Sequence, residues 1–279
     1  MSTLVPPREL PELAAPAAGS PPRARARRRR RPGLSWLRRW VSPTVILLAW
    51  QALSSSGVLP GKVLASPARI VATAAELLAD GTLQAATATS ISRVLYGFVL
   101  GAAAGLVLAL LAGLSRVGED AVDPPMQMLR TLPHFGLIPL FIVWMGIGET
   151  PKIALIALGV AFPLYLNTFA GIRSVDRKFL EAAHTLNLTR RQRLRHVIVP
   201  GALPQTLVGL RQSLGVAWLS LIVAETVSAD SGLGYLINDA REFLKTDVIV
   251  VGLAVYSLLG LLTDTFVRLI ERRALAWRS

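Results

Sequence analysis

The chain has 279 residues, of which 52% are hydrophobic and only 17% charged, and its net charge is +13. A soluble domain contains about 25% charged residues, and 10 of the 30 Lys and Arg residues precede residue 40, which favours a membrane protein over a nucleic-acid binder. The sequence contains no cysteine, so disulfides, thiolate metal sites and cysteine nucleophiles are excluded.

Residues 1–40 differ in composition from the rest of the chain. They are rich in Pro, Ala and Arg and include an arginine run at 27–31. Such a segment cannot bury enough apolar surface to offset its ordering entropy, so we predict a disordered tail. The first apolar stretch begins too late for a cleavable signal peptide. We interpret the tail as a cytoplasmic topology anchor without a specific nucleic-acid partner.

Six stretches are apolar enough to cross a bilayer, whose hydrocarbon core needs about 20 residues of helix. The third is interrupted by Pro133 and Pro139, and the fifth contains Arg211 and Glu225. The six stretches cover residues 41–59, 94–114, 131–148, 153–172, 203–227 and 248–267. We therefore predict an all-α polytopic membrane protein, with residues 41–279 forming a single transmembrane domain.

The distribution of basic residues predicts how these spans are oriented. With a cytoplasmic N-terminus, the inner side carries 24 of the 30 Lys and Arg residues. The outer side receives the other six: Lys62, Arg69, Arg93, Lys152, Arg241 and Lys245. This asymmetry predicts that both termini lie in the cytoplasm.

A short helix is predicted between the first two spans. Ser66 suits its N-cap and Pro67 its first position, while Asp80 and Gly81 mark its end. We expect this helix to lie along the outer face of the membrane.

The longest polar interruption after the first span, at about 176–204, is predicted to lie inside and to fold as a helix–turn–helix. The first helix contains Glu181 and ends near Asn187, a residue that tolerates a left-handed cap. Thr189 and Gln192 form a capping box for the second helix, which should stop before Pro200.

This hairpin is a candidate docking element for a partner protein. Small Ala182 and Ala183 would permit close approach of another surface, and the turn would present Leu188 and Thr189 outward. The alternative is an ordinary cytoplasmic loop whose basic residues face lipid headgroups.

The hairpin resembles the EAA loop of the permease subunits of bacterial ABC importers. That pattern has E-A-A, three residues, Gly, nine residues and I-x-L-P. The matching positions here are Glu181, Ala182, Ala183, Asn187, Val197, Val199 and Pro200. The departures are Asn for Gly and Val for both Ile and Leu, and all three are mild because Asn tolerates the left-handed turn and Val stays apolar.

The resemblance extends over about residues 66–278, which are similar to permeases for aliphatic sulfonates, taurine and nitrate. It is carried by segments such as RTLPHFGLIPLFIVWMGIGE from Arg130 and WLSLIVAETVSADSGLGYLI from Trp218. It implies a complex in the bacterial cytoplasmic membrane, with two copies of this chain, two ATPase subunits and a periplasmic or lipid-anchored binding protein. In that family the EAA loop is the coupling helix, which sits in a groove of the ATPase.

No catalytic, metal or cofactor site is predicted on this chain. Its only Gly-Lys pair, Gly61-Lys62, is followed by Val63 and lacks the upstream glycine of a phosphate-binding loop. ATP should therefore bind the partner subunit. A rival interpretation is a secondary transporter, but inverted repeats and paired mid-membrane carboxylates are not evident. A second rival is a membrane-anchored regulator that uses the arginine-rich tail on nucleic acid.

Polar side chains inside the predicted spans are costly and are therefore candidates for the solute pathway. Pro133, Gly136 and Pro139 in the third span and Pro163 in the fourth would also free backbone groups that could line a cavity. Ordinary helix–helix hydrogen bonding, worth under about 1 kcal/mol per bond, is the alternative. Glu225 and Asp264 are expected to reach water or a partner. The candidates are Asn167, Thr168, Gln212, Ser213 and Ser220.

Overall fold

In the computed structural model, residues 35–61 and 63–276 are described, and every regular element within these ranges is a helix. The chain divides into a unit at residues 1–46 and a unit at residues 47–279. Only the first part of the first helix is described in the smaller unit, so the predicted tail lies mostly outside the described residues.

The helices follow one another with short connections, and we number them in chain order. A 3₁₀ turn, His134–Leu137, precedes α5, and a π turn, Leu194–Ile198, joins α8 to α9. The α-helices are α1 Ser35–Ser55, α2 Pro67–Ala79, α3 Thr82–Leu114, α4 Arg116–Thr131, α5 Ile138–Met145, α6 Glu149–Arg173, α7 Arg177–Thr185, α8 Arg190–Arg193, α9 Val199–Ser228, α10 Leu233–Glu242 and α11 Thr246–Ala274.

Four helical rods in the described part of the chain are long and apolar enough to cross a membrane. They are α3, α6, the continuous run Arg190–Ser228, and α11. A fifth span exists if α4 and the segment His134–Met145 count together, although they meet at 89°. The apolar part of α1, Val41–Ser55, is shorter. The all-helical membrane fold is confirmed, while the prediction of six spans is confirmed only for four or five.

The predicted third span, 131–148, is wrong as a single helix. The chain is extended at Leu132 (φ −76°, ψ 136°) and at Pro133, between α4 and the 3₁₀ turn. A residue before proline avoids the helical region, and the proline itself has no N–H to donate. The eight-residue α5 that follows is about 12 Å long, which is too short to span a bilayer.

Helix α3 begins at Thr82, 12 residues before the predicted start of the second span. It runs parallel to α6 and packs closely against it through Gly97, Gly101 and Gly105. A Cβ at Gly101 would overlap the carbonyl of Ala157, so these glycines let the two backbones approach. Helix α9 then packs antiparallel against α6, and a core of buried residues joins α3, α6, α9, α10 and α11.

The predicted helix between the first two spans is confirmed as α2. The Ser66 hydroxyl accepts from the Arg69 amide at 3.2 Å, and Gly81 has a left-handed φ of +83°. Asp247 at the start of α11 accepts from Arg69 Nε at 3.0 Å and from the Thr73 hydroxyl at 2.8 Å. These bonds fix α2 to α11. Its placement along the outer membrane face stays a prediction.

Candidate functional site

The predicted helix–turn–helix is present between α6 and α9. Asp176 caps α7 by accepting from the Lys178 amide at 2.9 Å. Asn187 then adopts a left-handed conformation (φ +50°), and the Leu188 amide donates back to the Ala183 carbonyl at 3.0 Å. The predicted bend at Asn187 is confirmed by this positive φ. Asn tolerates the left-handed conformation better than most residues do.

The second helix of the hairpin starts with the predicted capping box. The Gln192 amide donates to the Thr189 hydroxyl at 3.3 Å, and the Thr189 amide donates to Gln192 Oε1 at 2.9 Å. Arg193 Nη1 also lies 2.7 Å from His184 Nε2. The hairpin is therefore closed by side-chain contacts between its two arms as well as by its turn.

The expectation that the second helix stops before Pro200 is wrong. Helix α8 continues through the π turn into α9, and the three form one 39-residue rod, Arg190–Ser228. The Val199 amide donates to the Leu194 carbonyl, five residues earlier. We attribute this turn to Pro200, whose ring would clash with a carbonyl in a regular α-helix and which lacks a donor there.

The exposed face of the hairpin differs in part from the predicted one. Glu181, Ala182, Asn187 and Thr189 are exposed, whereas Ala183 is 2% exposed and Leu188 and Pro200 are partly buried. Phe179 and Leu186, which the sequence analysis missed, are 64% and 71% exposed. They recur at i and i+7 around Ala182, so the helical period could have identified them. This leaves an apolar stripe with Ala182 at its centre.

Two of the five pathway candidates face a polar cavity, and a third amide joins them. Asn167 Nδ2 donates to Gln212 Oε1 at 2.9 Å and to the Pro163 carbonyl at 2.8 Å. Gln205 Nε2 donates to Asn167 Oδ1 at 2.8 Å. We call Gln205, Asn167 and Gln212 the amide chain. The sequence analysis missed Gln205, although it lies two helical turns (i, i+7) before Gln212 and therefore on the same face of α9.

The cavity beside the amide chain has a volume of about 450 Å³. Arg130, His134 and Gln212 contribute polar groups, and Leu132, Phe162, Leu166 and Val216 contribute apolar walls. Gly159 and Pro163 also line it. Pro163 has no N–H to donate to the Gly159 carbonyl. The backbone group that Pro163 frees is therefore the carbonyl of Gly159, which lines this cavity.

The other three pathway candidates are buried between helices. Ser213 is fully buried and donates to the Val160 carbonyl at 2.8 Å, which is the helix–helix bond anticipated as the alternative. Ser220 is fully buried with its hydroxyl 3.5 Å from His134 Nε2. Thr168 is 4% exposed. None of these three is among the residues that line the cavity.

An ionic cluster of Arg93, Glu149, Lys152 and Glu225, all buried except Glu149, lies at the opposite end of the bundle from the hairpin. Arg93 Nη1 donates to Glu225 Oε1 at 2.7 Å, and Arg93 Nε donates to Glu149 Oε2 at 2.6 Å. Lys152 Nζ donates to Glu149 Oε1 at 2.9 Å. We call this group the Arg93 cluster. It includes two of the six cations that were counted in the outer loops, yet both are buried.

The expectation that Glu225 reaches water or a partner is wrong, because its side chain is fully buried within the chain. It accepts from the Ser90 and Tyr256 hydroxyls and from the Gly234 amide, besides Arg93. Asp264 is partly exposed and pairs with Arg268 at 2.7 Å. Glu225 therefore connects helices, while Asp264 lies where water can reach it.

Comparison with known proteins adds relatives that cover nearly the whole chain. The family described as "Binding-protein-dependent transport system inner membrane component" matches residues 101–275. The chain is 46% identical over 271 residues to the "Putative aliphatic sulfonates transport permease protein SsuC" of Bacillus subtilis, covering 96% of this chain and 98% of that protein. It is 49% identical over 249 residues to the protein of the same name from Escherichia coli, with coverage of 88% and 95%.

The fold also matches a solved structure, described as that of an amino acid ABC transporter with histidines. The TM-score is 0.60 at 20% sequence identity, and the match covers 71% of this chain and 97% of that chain. This likeness supports the fold alone.

Proposed function

Because this chain belongs to the family of binding-protein-dependent transport inner membrane components, we propose that it is the permease subunit of an ATP-driven importer of aliphatic sulfonates. The proposal depends on the near 50% identity, over most of the chain, to two proteins named as aliphatic sulfonate permeases. Taurine, nitrate or another small solute of the same family is the alternative cargo. A secondary transporter is disfavoured, since the family works with a binding protein.

We further propose that the hairpin docks on a separate ATPase subunit, which binds and hydrolyses ATP. Its apolar stripe, Phe179, Ala182 and Leu186, projects from α7 and offers surface that a partner would bury. Exposed apolar groups beside charged ones are typical of protein interfaces. Glu181 and Thr189 flank the stripe and would make the polar contacts of the same interface.

The continuous rod from Arg190 to Ser228 suggests how motion at the ATPase reaches the pathway. One end of the rod belongs to the hairpin, its middle carries Gln212, and its far end carries Glu225 of the Arg93 cluster. In a second copy of the chain the same rod would face the pathway from the other side. Closure of the ATPase dimer would move the paired hairpins together and open the pathway outward, and hydrolysis would reset it.

The remaining partners follow from the family and from charge. A periplasmic or lipid-anchored binding protein would deliver the solute on the outer side, so the permease itself needs little affinity. The excess of Lys and Arg in the predicted inner loops supports a bacterial cytoplasmic membrane location with both termini inside.

The test is the growth of a strain that lacks this gene. We expect the strain to lose growth on an alkanesulfonate as sole sulfur source and to regain it when the wild-type chain is supplied. Growth on sulfate is the control. Unimpaired growth of the deletion strain on alkanesulfonates, or restoration of taurine or nitrate uptake alone, would contradict the proposed cargo. A purified complex without an ATPase would contradict the proposed mechanism.

A further inference from the structure

The backbone carbonyl of Pro163 fixes the orientation of the amide chain. The oxygen and nitrogen of a side-chain amide are distinguished by the groups that they face. A carbonyl can only accept, so the Asn167 atom at 2.8 Å from Pro163 O must be its NH₂ group. Asn167 Oδ1 then has to accept from Gln205, at 2.8 Å.

The orientation of the Asn167 amide determines that of the Gln212 amide. The same Asn167 NH₂ group lies 2.9 Å from Gln212, which must present its oxygen to it. The NH₂ group of Gln212 is therefore turned away from Asn167, and no group in the described part of the chain accepts from it. Gln212 is exposed and lines the 450 Å³ cavity, so its two N–H donors are available there.

The cavity carries a positive charge, which favours the binding of an anion. Arg130 lines it and forms no ion pair within residues 35–61 and 63–276. No Asp or Glu is among the residues that line it. Guanidinium and amide donors suit a tetrahedral oxyanion, and apolar walls such as Phe162 suit a short alkyl tail.

We propose that Arg130 and Gln212 form a transient binding station for the sulfonate head group on the translocation pathway. Asn167 and Gln205 are positioning residues, which hold Gln212 with its donors toward the solute. This inference rests on the proposed function and adds the residues that select for an anion. Two donor groups without enclosure give weak binding, which passage through a transporter requires.

The experiment uses the full complex of permease, ATPase and binding protein, reconstituted in vesicles, with labelled ethanesulfonate as the probe. Gln212→Glu keeps the shape of the side chain but replaces the free donors by a carboxylate. We expect sulfonate uptake to fall at least about tenfold, because like charges repel. ATP hydrolysis stimulated by the loaded binding protein should persist, since the hairpin is unchanged.

Asn167→Leu tests the positioning role separately, because leucine is similar in size and adds no charge to the cavity that Asn167 lines. Leucine cannot donate to Gln212, so the NH₂ group of Gln212 is no longer held toward the cavity. We expect lower uptake here too, and restoration of part of it by Asn167→Ser, which retains a donor. Arg130→Lys should keep more uptake than Arg130→Gln. Thr206→Ala is the matched control, since Thr206 bonds only within its own helix.

Wild-type uptake by both Gln212→Glu and Arg130→Gln would overturn the inference while leaving the proposed function intact. Equal loss of uptake and of ATP hydrolysis in every variant would also overturn it, because it would indicate a structural defect. Absence of ethanesulfonate uptake by the wild-type complex would overturn the proposed cargo instead. Taurine and nitrate would then be the probes for the same variants, and the inference fails if their uptake is unchanged.

Discussion

Nη1 of Arg93 donates to Oε1 of Glu225 over 2.7 Å and joins the first half of α3 to the last turn of α9. Both side chains are almost fully buried, at 2% and 0% exposed. Burying two charges is costly, so the pair is tolerated only because Ser90, Tyr256 and other groups satisfy it. The contact determines where α9 ends relative to α3.

Replacement of Arg93 should therefore destabilise the bundle strongly. Arg93→Met leaves Glu225 buried without its cation, a change that costs about 3–5 kcal/mol for a buried pair. Arg268→Met is the comparison, since Arg268 and its partner Asp264 are 61% and 31% exposed and water can solvate the remaining carboxylate. Thermal unfolding in detergent should show a much larger drop in Tm for Arg93→Met. Similar Tm values for both variants would mean that the buried pair contributes no more to stability than an exposed group does.

The bend at Asn187 gives a second prediction. A β-branched residue at a φ of +50° costs about 1–2 kcal/mol, because its Cβ meets the neighbouring carbonyl. Asn187→Val should thus distort the hairpin and lower ATP-dependent uptake at unchanged membrane levels. Asn187→Gly should retain uptake, since glycine adopts this conformation without strain. If the two variants transport equally, the left-handed turn is not needed for coupling.

The hairpin could be predicted from the sequence because its determinants are local. The cap at Thr189 and Gln192 and the turn at Asn187 each depend on residues within a few positions of one another. The hydrophobic spans are also local in this sense, which is why α3, α6, α9 and α11 were located. Pro200 was misjudged because a π turn, which no local rule anticipates, relieves the clash.

The Arg93 cluster could not be predicted, because its members are far apart in the sequence. Arg93 and Glu225 are separated by 132 residues, and pairing between them depends on how α3, α6 and α9 pack. Counting charges per loop assigned Arg93 to the outside, although α3 extends beyond the apolar stretch that marked its start. The orientation of the amide chain is equally non-local, since Asn167 and Gln212 belong to different helices.

Adjacent alanines in α7 give a third prediction, about docking. Ala182 is exposed, whereas Ala183 is 2% exposed and packs inside the hairpin. Ala182→Trp should leave the permease folded but reduce co-purification of the ATPase and uptake, because the bulky ring occupies the docking surface. Ala183→Trp should overpack the hairpin and lower Tm, because overpacking reduces the free energy of unfolding by about 1–3 kcal/mol. Normal uptake and ATPase association in Ala182→Trp would indicate that this face is not the interface.

The close approach of α3 and α6 supplies the last prediction. A methyl group at Gly101 would overlap the carbonyl of Ala157 and the Cβ of Val160, so the two helices would have to separate. Gly260, in α11, has nothing within 4 Å of such a methyl group. Gly260→Ala should therefore leave Tm unchanged or raise it slightly, because alanine is the better helix former by about 1 kcal/mol.

Gly101→Ala carries the same gain in helix propensity, so any loss of stability has to come from packing against α6. We expect the overlap to outweigh that gain and to lower Tm by several degrees, since overpacking costs about 1–3 kcal/mol and each 1 kcal/mol shifts Tm by about 2–4 °C at this size. Separation of α3 from α6 would also displace Arg93 from Glu149, whose bond joins the same two helices. Uptake by Gly101→Ala should fall with its stability, whereas a Tm equal to that of Gly260→Ala would show that the glycines are not required for the contact.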